Sequence, residues 1–179
     1  YDNLTDRIYW TVSIPAGEQG MEAGKKVSVT DIMDEADYTL LRGGGYPRVL
    51  EAQSKSYNEW GRQGLDYNTM PGSLVEWSED GLTASFTTRP GKGSEADSGD
   101  CQPNSDGVVS DCTRGTDGSF YQVQWYVEVN APGELQSNGD RVFYNGAEYT
   151  IEGEETKTLK GETRRQSAGG NIVGRNFGK

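Results

Sequence analysis

The chain has 179 residues, with 17 Lys and Arg against 28 Asp and Glu, a formal net charge of −11, and no histidine. The negative charge repels nucleic acid and anionic lipid, and the missing histidine removes the commonest general base, the Ser-His-Asp triad and most zinc sites. No apolar run approaches the roughly 20 residues of a membrane-spanning helix. The sequence therefore predicts one domain or a tight pair, either a mature soluble segment or a piece of a longer chain, with no nucleic-acid partner and no membrane insertion.

Five segments alternate apolar and polar residues with the period of two that is typical of a half-buried strand. In chain order they are residues 8–14, 27–31, 82–87, 121–129 and 143–151. Gly, Pro, Asn and Asp punctuate the segments, and helical periodicity is almost absent. The pattern predicts an all-β sandwich in which Trp10 and Trp125 belong to the core.

Residues 41–72 do not follow this rhythm, since they are rich in Gly and aromatic residues. We predict a long irregular excursion there, with a short helix around residues 49–57. A long loop in a compact domain is either functional or mobile. Tyr57, Trp60, Tyr67 and Trp77 lie in or near it and are candidates for contact with a sugar ring or a protein ligand. A small satellite core beneath the loop is an equally open interpretation.

The last residues are polar and rich in Gly. The sequence predicts a domain at residues 1–166 and a tail at residues 167–179, with a hinge at residues 167–170. The tail is either a linker to another domain or a last edge strand that latches back.

Cys101 and Cys112 enclose a short loop of turn-forming residues, C-Q-P-N-S-D-G-V-V-S-D-C. This pattern favours a surface disulfide over two free thiols, and it would contribute about 3 kcal/mol by loop closure. A disulfide implies an oxidising, extracellular setting. Acidic residues surround the loop, but they lack the spacing of a calcium-binding loop, so no metal is predicted.

Asp31 follows Val27 and Val29 on the same predicted face of a strand, and Asn145 is in phase with Phe143 and Tyr149. A buried carboxylate must pair or take up a proton. A protonated acid facing an asparagine amide is a satisfied pair, and a lysine beside them could attack the amide and form a cross-link.

Both residues also have an ordinary interpretation. Asp31 can end its strand and cap the turn that M-D-E-A-D begins. Asn145 can be the first residue of an Asn-Gly hairpin turn, in which case residues 143–151 form two strands.

The segments D-R-I-Y-W-T-V-S-I-P, K-K-V-S-V-T-D-I-M-D, Y-Q-V-Q-W-Y-V-E-V-N and D-R-V-F-Y-N-G-A-E-Y-T together resemble Ig-like domains of cell-wall-anchored Gram-positive adhesins, of the collagen-adhesin A-region type. The resemblance skips residues 41–72 and the cysteine loop. It implies a variant immunoglobulin sandwich that is displayed at the cell surface and, in many members, an intramolecular Lys-Asn isopeptide bond with a catalytic Asp.

By position in this resemblance, Asp31 matches the catalytic acid and Asn145 the acceptor amide. The family's lysine lies on the first strand, before the tryptophan strand, and no lysine stands between Tyr1 and Gly24. Lys26 is a weak candidate, since it is so near Asp31 on the same strand. Either the given sequence begins after the lysine, or the bond is absent and the two side chains are a plain hydrogen-bonded pair.

These observations predict an extracellular, cell-wall-anchored surface adhesin domain that attaches to a host or partner-cell surface protein or glycan. We expect a monomeric module of a larger chain, without a cofactor and without enzymatic turnover beyond the single self-reaction at Asp31. Two alternatives stay open, namely a ligand-free stalk or spacer of a surface protein or pilus, and a carbohydrate-binding module. A hydrolase is disfavoured because no two carboxylates can be assigned acid and nucleophile roles from their spacing.

Overall fold

The computed structural model describes residues 7–164 with their side chains and the backbone of residues 169–173. Residues 1–6, 165–168 and 174–179 lie outside the described residues, as do part of the predicted hinge and most of the predicted tail. Among the described residues, no helix has the length and apolar character needed to cross a membrane.

The described residues contain twelve β-strands and two short 3₁₀-helices, Gly72–Leu74 and Gly93–Ala96. In chain order the strands are β1 (Arg7–Ser13), β2 (Lys26–Ile32), β3 (Tyr38–Leu41), β4 (Arg48–Tyr57), β5 (Gln63–Thr69), β6 (Val75–Trp77), β7 (Thr83–Thr87), β8 (Cys112–Val129), β9 (Glu134–Leu135), β10 (Arg141–Ile151), β11 (Lys157–Arg164) and β12 (Gly169–Val173).

The strands form two antiparallel sheets that pack as a sandwich, which confirms the predicted all-β sandwich fold. The first sheet has the order β5-β4-β8-β1, and β3 pairs with the end of β8. The second sheet has the order β6-β7-β2-β10-β11, and β9 pairs with the start of β10. The backbone of β12 connects them, because it runs parallel to β1 and pairs with β11 at one position.

The core lies between the two sheets and follows the alternation read from the sequence. In the second half of β8 the core side chains that alternate are Tyr121, Val123, Trp125, Val127 and Val129. Trp10 of β1 lies directly opposite Trp125, and both indoles are fully buried, as predicted.

The segment 41–72 differs from its prediction, because it contains strands β4 and β5 instead of an irregular loop with a helix. The predicted helix at residues 49–57 is wrong. Residues such as Glu51 and Lys55 favour a helix locally, but β4 pairs along most of its length with β8 and with β5. These long-range hydrogen bonds override a weak local preference. A β-bulge between Ala52 and Ser54 also breaks the period of two that would have marked the strand.

The predicted disulfide is confirmed, since Cys101 and Cys112 are bonded with a Cα–Cα distance of 5.5 Å. Cys112 is the first residue of β8, so the bond fixes the preceding loop to the start of this strand.

Candidate functional site

Asp31 and Asn145 lie on the neighbouring strands β2 and β10 of the second sheet, and both side chains point into the sandwich. Asp31 is paired in register with Ala147, two residues after Asn145. The exposed fraction is 2% for Asp31 and 7% for Asn145. The Asn145 Nδ2 donates a hydrogen bond to Asp31 Oδ1 at 2.8 Å.

Strand periodicity is what places the two residues there. Strand β2 continues through Ile32, so Asp31 does not end it. The turn that follows is held by a different residue, Asp34, whose Oδ1 accepts the Ala36 N–H at 2.9 Å. Likewise, Asn145 lies inside the continuous strand β10 and does not begin a hairpin turn.

Burial dominates the electrostatics of this acid and amide pair. It raises the pKa of Asp31 from 3.8 to about 7, and the hydrogen bond from Asn145 opposes this rise. Asp31 Oδ2 and Asn145 Oδ1 have no hydrogen-bond partner among the described residues, so one hydrogen bond joins the pair rather than two. Asp31 is therefore partly protonated near neutral pH and can act as an acid or as a base.

Tyr38 lies near the pair and Trp10 packs against Tyr38, which the sequence analysis did not detect. The Tyr38 hydroxyl donates to the Tyr144 carbonyl oxygen at 2.7 Å, and its ring meets the Trp10 indole edge to face at 6.1 Å. Burial raises the pKa of Tyr38, and the nearby charge of Asp31 adds to this effect. Trp10 Nε1 also has no hydrogen-bond partner among the described residues. No local signal in the sequence relates these residues to Asp31.

The lysines of the described strands do not face the pair. Lys26 is exposed and alternates with the buried Val27 on β2, so its side chain points away from the core. Lys55 is buried in the first sheet, where its amine lies 5.7 Å from the centre of the Phe120 ring. Lys160 is exposed on β11.

The four aromatic candidates for ligand contact do not form one surface. Trp77 lies on β6 and packs against the buried Trp125, with ring centres 6.3 Å apart. Tyr67 is half-buried on β5, and burial raises its pKa. The hydroxyl of the half-buried Tyr57 donates to Gln63 at 3.2 Å. Trp60 is 74% exposed.

Trp60 occupies the tight turn N-E-W-G-R between β4 and β5. The Asn58 Oδ1 accepts the N–H groups of Trp60 and Arg62, both at 2.9 Å. Gly61 has a φ of 78°, and a side chain there would collide with Val108. The turn is therefore fixed, while the indole that it carries remains in solvent.

The cysteine loop contains a second turn of the same construction, N-S-D-G-V. Asn104 Oδ1 accepts the N–H groups of Asp106 and Val108 at 2.8 and 3.0 Å, and Gly107 has a φ of 79°. The two turns pack together where Gly61 meets Val108. The repeated spacing Asn-x-x-Gly was visible in the sequence and could have indicated both turns. We call the pair the twin-turn tip, residues 58–62 and 104–108.

Asp97, one of the acidic residues near the cysteine loop, has structural contacts. Asp97 accepts a hydrogen bond from Gly115 N–H at 3.0 Å and forms an ion pair with Arg114 at 3.1 Å. Among the described residues, no three or more His, Cys, Asp or Glu side chains are grouped to hold a metal ion.

A second buried carboxylate, Glu51, lies in the first sheet and was not selected from the sequence. Arg89 binds it through Nε at 3.1 Å and through a shorter contact from Nη2. The Tyr121 hydroxyl donates to Glu51 Oε2 at 2.8 Å and accepts the Arg89 N–H at 2.8 Å. The carboxylate raises the pKa of Arg89. Every oxygen of Glu51 is thus satisfied by a charged or hydroxyl partner.

Comparison of the chain with protein-family models, with curated proteins and with solved structures found no match.

Proposed function

We propose that this protein is an Ig-like domain of an extracellular surface adhesin, anchored to a cell wall, which attaches to a host or partner-cell ligand. The observation that carries the proposal is the buried Asp31 and Asn145 pair, because a sandwich core gains little stability from an uncompensated acid. A reactive acid beside an amide has a use as a cross-linking site between strands, and cross-links suit a domain that bears mechanical load. The Cys101–Cys112 disulfide supports an extracellular location.

The proposed cross-link is an amide bond between a lysine and Asn145. The neutral lysine amine attacks the Asn145 side-chain carbonyl carbon, and the side-chain nitrogen leaves as ammonia. Protonated Asp31, which lies beside the Asn145 side-chain nitrogen, gives its proton to that leaving nitrogen, and the resulting carboxylate takes up the proton that the attacking amine loses. The lysine is not assigned, since the described lysines of β2, β4 and β11 point elsewhere.

Intact mass of the protein from its native source tests the cross-link. We expect a mass lower than the sequence mass by one ammonia after the disulfide is reduced, and peptide mapping should find a lysine joined to Asn145. The Asp31→Asn variant lacks the catalytic acid and should have the full mass calculated from its own sequence. A full mass for the wild type would show that the pair is only structural, and the adhesin proposal would then depend on ligand attachment.

The twin-turn tip supports the attachment part of the proposal. A rigid turn that exposes a tryptophan loses little conformational entropy on binding, and tryptophan is enriched among the residues that dominate interface energies. Val108 is exposed beside it at 36%. We expect Trp60 to be the anchor of a contact with a partner surface.

Beads coated with the domain test this contact on host or partner cells. Trp60→Ala should reduce attachment about tenfold, as is typical when a central aromatic contact is truncated. Leu135→Ala is the matched control, because Leu135 is also strongly exposed, at 60%, but lies on β9 of the other sheet. Equal attachment of all three proteins would show that the tip does not bind, and no attachment by any of them would contradict the adhesin proposal.

A further inference from the structure

A cluster of aromatic and cationic side chains covers part of the outer face of the first sheet. Its members alternate with the core residues of β1, β4 and β8, so they point away from the core. We call it the Tyr-Arg face, and it consists of Arg7, Tyr9, Tyr46, Arg48, Gln124 and Tyr126.

The tyrosine rings of this face pack on one another. Tyr9 and Tyr126 are cross-strand partners whose rings stack at 4.2 Å and 13°. Tyr46 precedes β4 and leans on both rings, with centre distances of 5.3 and 5.5 Å. All three side chains are half-buried, which fixes their positions while each stays partly open to solvent.

The two arginines lie over these rings, and neither has a carboxylate partner among the residues that the structure describes. Arg48 Cζ is 4.6 Å from the centre of the Tyr46 ring, and Arg7 Cζ is 5.8 Å from that of Tyr126. Arg48 Nε donates to Gln124 Oε1 at 2.8 Å. Neither guanidinium forms an ion pair within the described part of the chain, although Glu128 is opposite Arg7 in register.

The face places two positive charges close together in a chain with a net charge of −11. Arg89, Arg114 and Arg164 pair with carboxylates. Arg7 and Arg48 form no ion pair with the described residues, and they lie at two sides of the tyrosine cluster. Guanidinium forks of this kind match carboxylate and sulfate groups.

From this face we infer that the protein has a binding site for an acidic oligosaccharide, with Arg7 and Arg48 holding its anionic groups. The inference rests on the proposed adhesin function and names the chemistry of one ligand. The cavities around Phe86 and around Glu79 are lined by other residues. Partly exposed tyrosine rings offer an apolar ring face and a polar hydroxyl to a sugar ring, and two guanidiniums suit acidic groups spaced along a sugar chain.

The tyrosine hydroxyls and the glutamine side chain supply the remaining contacts. The Tyr126 hydroxyl raises the pKa of Tyr9, so Tyr9 stays protonated and keeps a hydrogen-bond donor at neutral pH. Gln124 Nε2 donates to Thr11 at 3.3 Å, so its amide is oriented and its oxygen is held by Arg48. Sugar hydroxyls can exchange hydrogen bonds with these groups while the acidic groups meet the guanidiniums.

Isothermal titration calorimetry with three oligosaccharides of equal length tests the site. The probes are a sulfated heparin fragment, an oligogalacturonate that carries carboxylates, and a neutral malto-oligosaccharide. We expect at least one acidic probe to bind and the neutral one not to bind. The stronger of the two acidic probes identifies sulfate or carboxylate as the preferred group. Absence of binding by both acidic probes would overturn the inference.

Variants then locate the binding. Arg48→Gln and Arg7→Gln should each weaken the acidic probe about tenfold, since each removes a charge-assisted contact. Tyr46→Phe should weaken it about threefold, as one neutral hydrogen bond is lost. Lys160→Gln is the control, because it also removes one positive charge but lies exposed on β11 of the other sheet, and it should change affinity less than twofold. Equal losses in Lys160→Gln and Arg48→Gln would overturn the site in favour of general charge attraction.

A poly-glutamate peptide separates the two classes of acidic ligand. Tighter binding of this peptide than of either acidic oligosaccharide would overturn the inference in favour of a protein ligand.

The bead assay separates this inference from the proposed function. If the beads attach to cells but no oligosaccharide binds, the adhesin proposal holds and the inference about the Tyr-Arg face is wrong.

Discussion

Asp31 and Glu51 are buried to nearly the same extent, with exposed fractions of 2% and 5%, in opposite sheets of the sandwich. Glu51 is bound by the guanidinium of Arg89 and by the Tyr121 hydroxyl. Asp31 has one neutral amide as its partner, and one of its oxygens has no partner among the described residues.

The difference shows that the partners of a buried acid, which the fold supplies, determine its role. The Arg89 cation offsets the cost of placing the Glu51 carboxylate in the interior, so that carboxylate serves the structure. An amide cannot offset this cost, so Asp31 holds its proton up to a pH of about 7. The first arrangement is stable and unreactive, whereas the second keeps a proton available at the amide of Asn145.

The largest expected effect is the pH dependence that Asp31 gives to folding. Its folded pKa of about 7 lies above the unfolded value of 3.8, so the folded state binds the proton more tightly. The free energy of unfolding should therefore fall as the pH rises from about 4 to about 7, by about 4 kcal/mol, and then level off. Urea unfolding across this pH range measures it.

Asp31→Asn removes this titration and tests its source. The variant should lose the fall between about pH 4 and pH 7 and should be more stable than the wild type at alkaline pH, because no charge is buried. Asp34→Asn is the control, since Asp34 lies in an exposed turn. A wild-type profile that is flat over this range would show that Asp31 is not the buried acid described here.

Removal of the Glu51 charge should have the next largest effect. Glu51→Gln leaves the partly exposed Arg89 without its counter-charge, and we expect a loss of about 3 kcal/mol at neutral pH, measured by urea unfolding. Arg164→Gln is the control, because its ion pair with Asp140 is exposed on both sides and should contribute less than about 1 kcal/mol. Equal losses in the two variants would contradict the distinction between the buried and exposed pairs.

The two buried tyrosine hydroxyls sharpen the comparison on a smaller scale. Tyr121→Phe removes a hydrogen bond to a carboxylate and should cost about 2 kcal/mol in thermal or urea unfolding. Tyr38→Phe removes a hydrogen bond to the neutral Tyr144 carbonyl and should cost about 1 kcal/mol. A larger loss from Tyr38→Phe would mean that the Glu51 network contributes less than its charge suggests.

The smallest effect concerns the hydrogen bond between the acid and the amide. Asn145→Ala removes the contact that lowers the pKa of Asp31, so that pKa should rise further above 7, by about one pH unit. NMR titration of the Asp31 carboxyl carbon measures the shift. Asn138→Ala, in an exposed turn, is the control, and an unchanged midpoint in Asn145→Ala would show that burial alone sets the pKa.

Periodicity predicted the strands that cross the core. Residues 8–14, 121–129 and 143–151 correspond to β1, to the second half of β8 and to β10. The alternation marks these strands because one face of each is buried and the other is closer to solvent. The same reasoning failed for β4, where a bulge and the buried polar residues Glu51 and Lys55 disguise the alternation. Pairing with distant strands was needed to identify it as a strand.

The all-β character and the disulfide can be read from the sequence, because alternation and turn residues act locally along the chain, whereas the inward direction of Asp31 and Asn145 was one of two interpretations that the sequence allowed. Strand pairing brings Asp31 to Asn145 and turns the lysines of β2, β4 and β11 away from them, since strand register is a property of two segments far apart in sequence. The Glu51 and Arg89 pair and the Tyr-Arg face likewise join residues whose proximity comes from the packing and pairing of the strands, which no local pattern encodes.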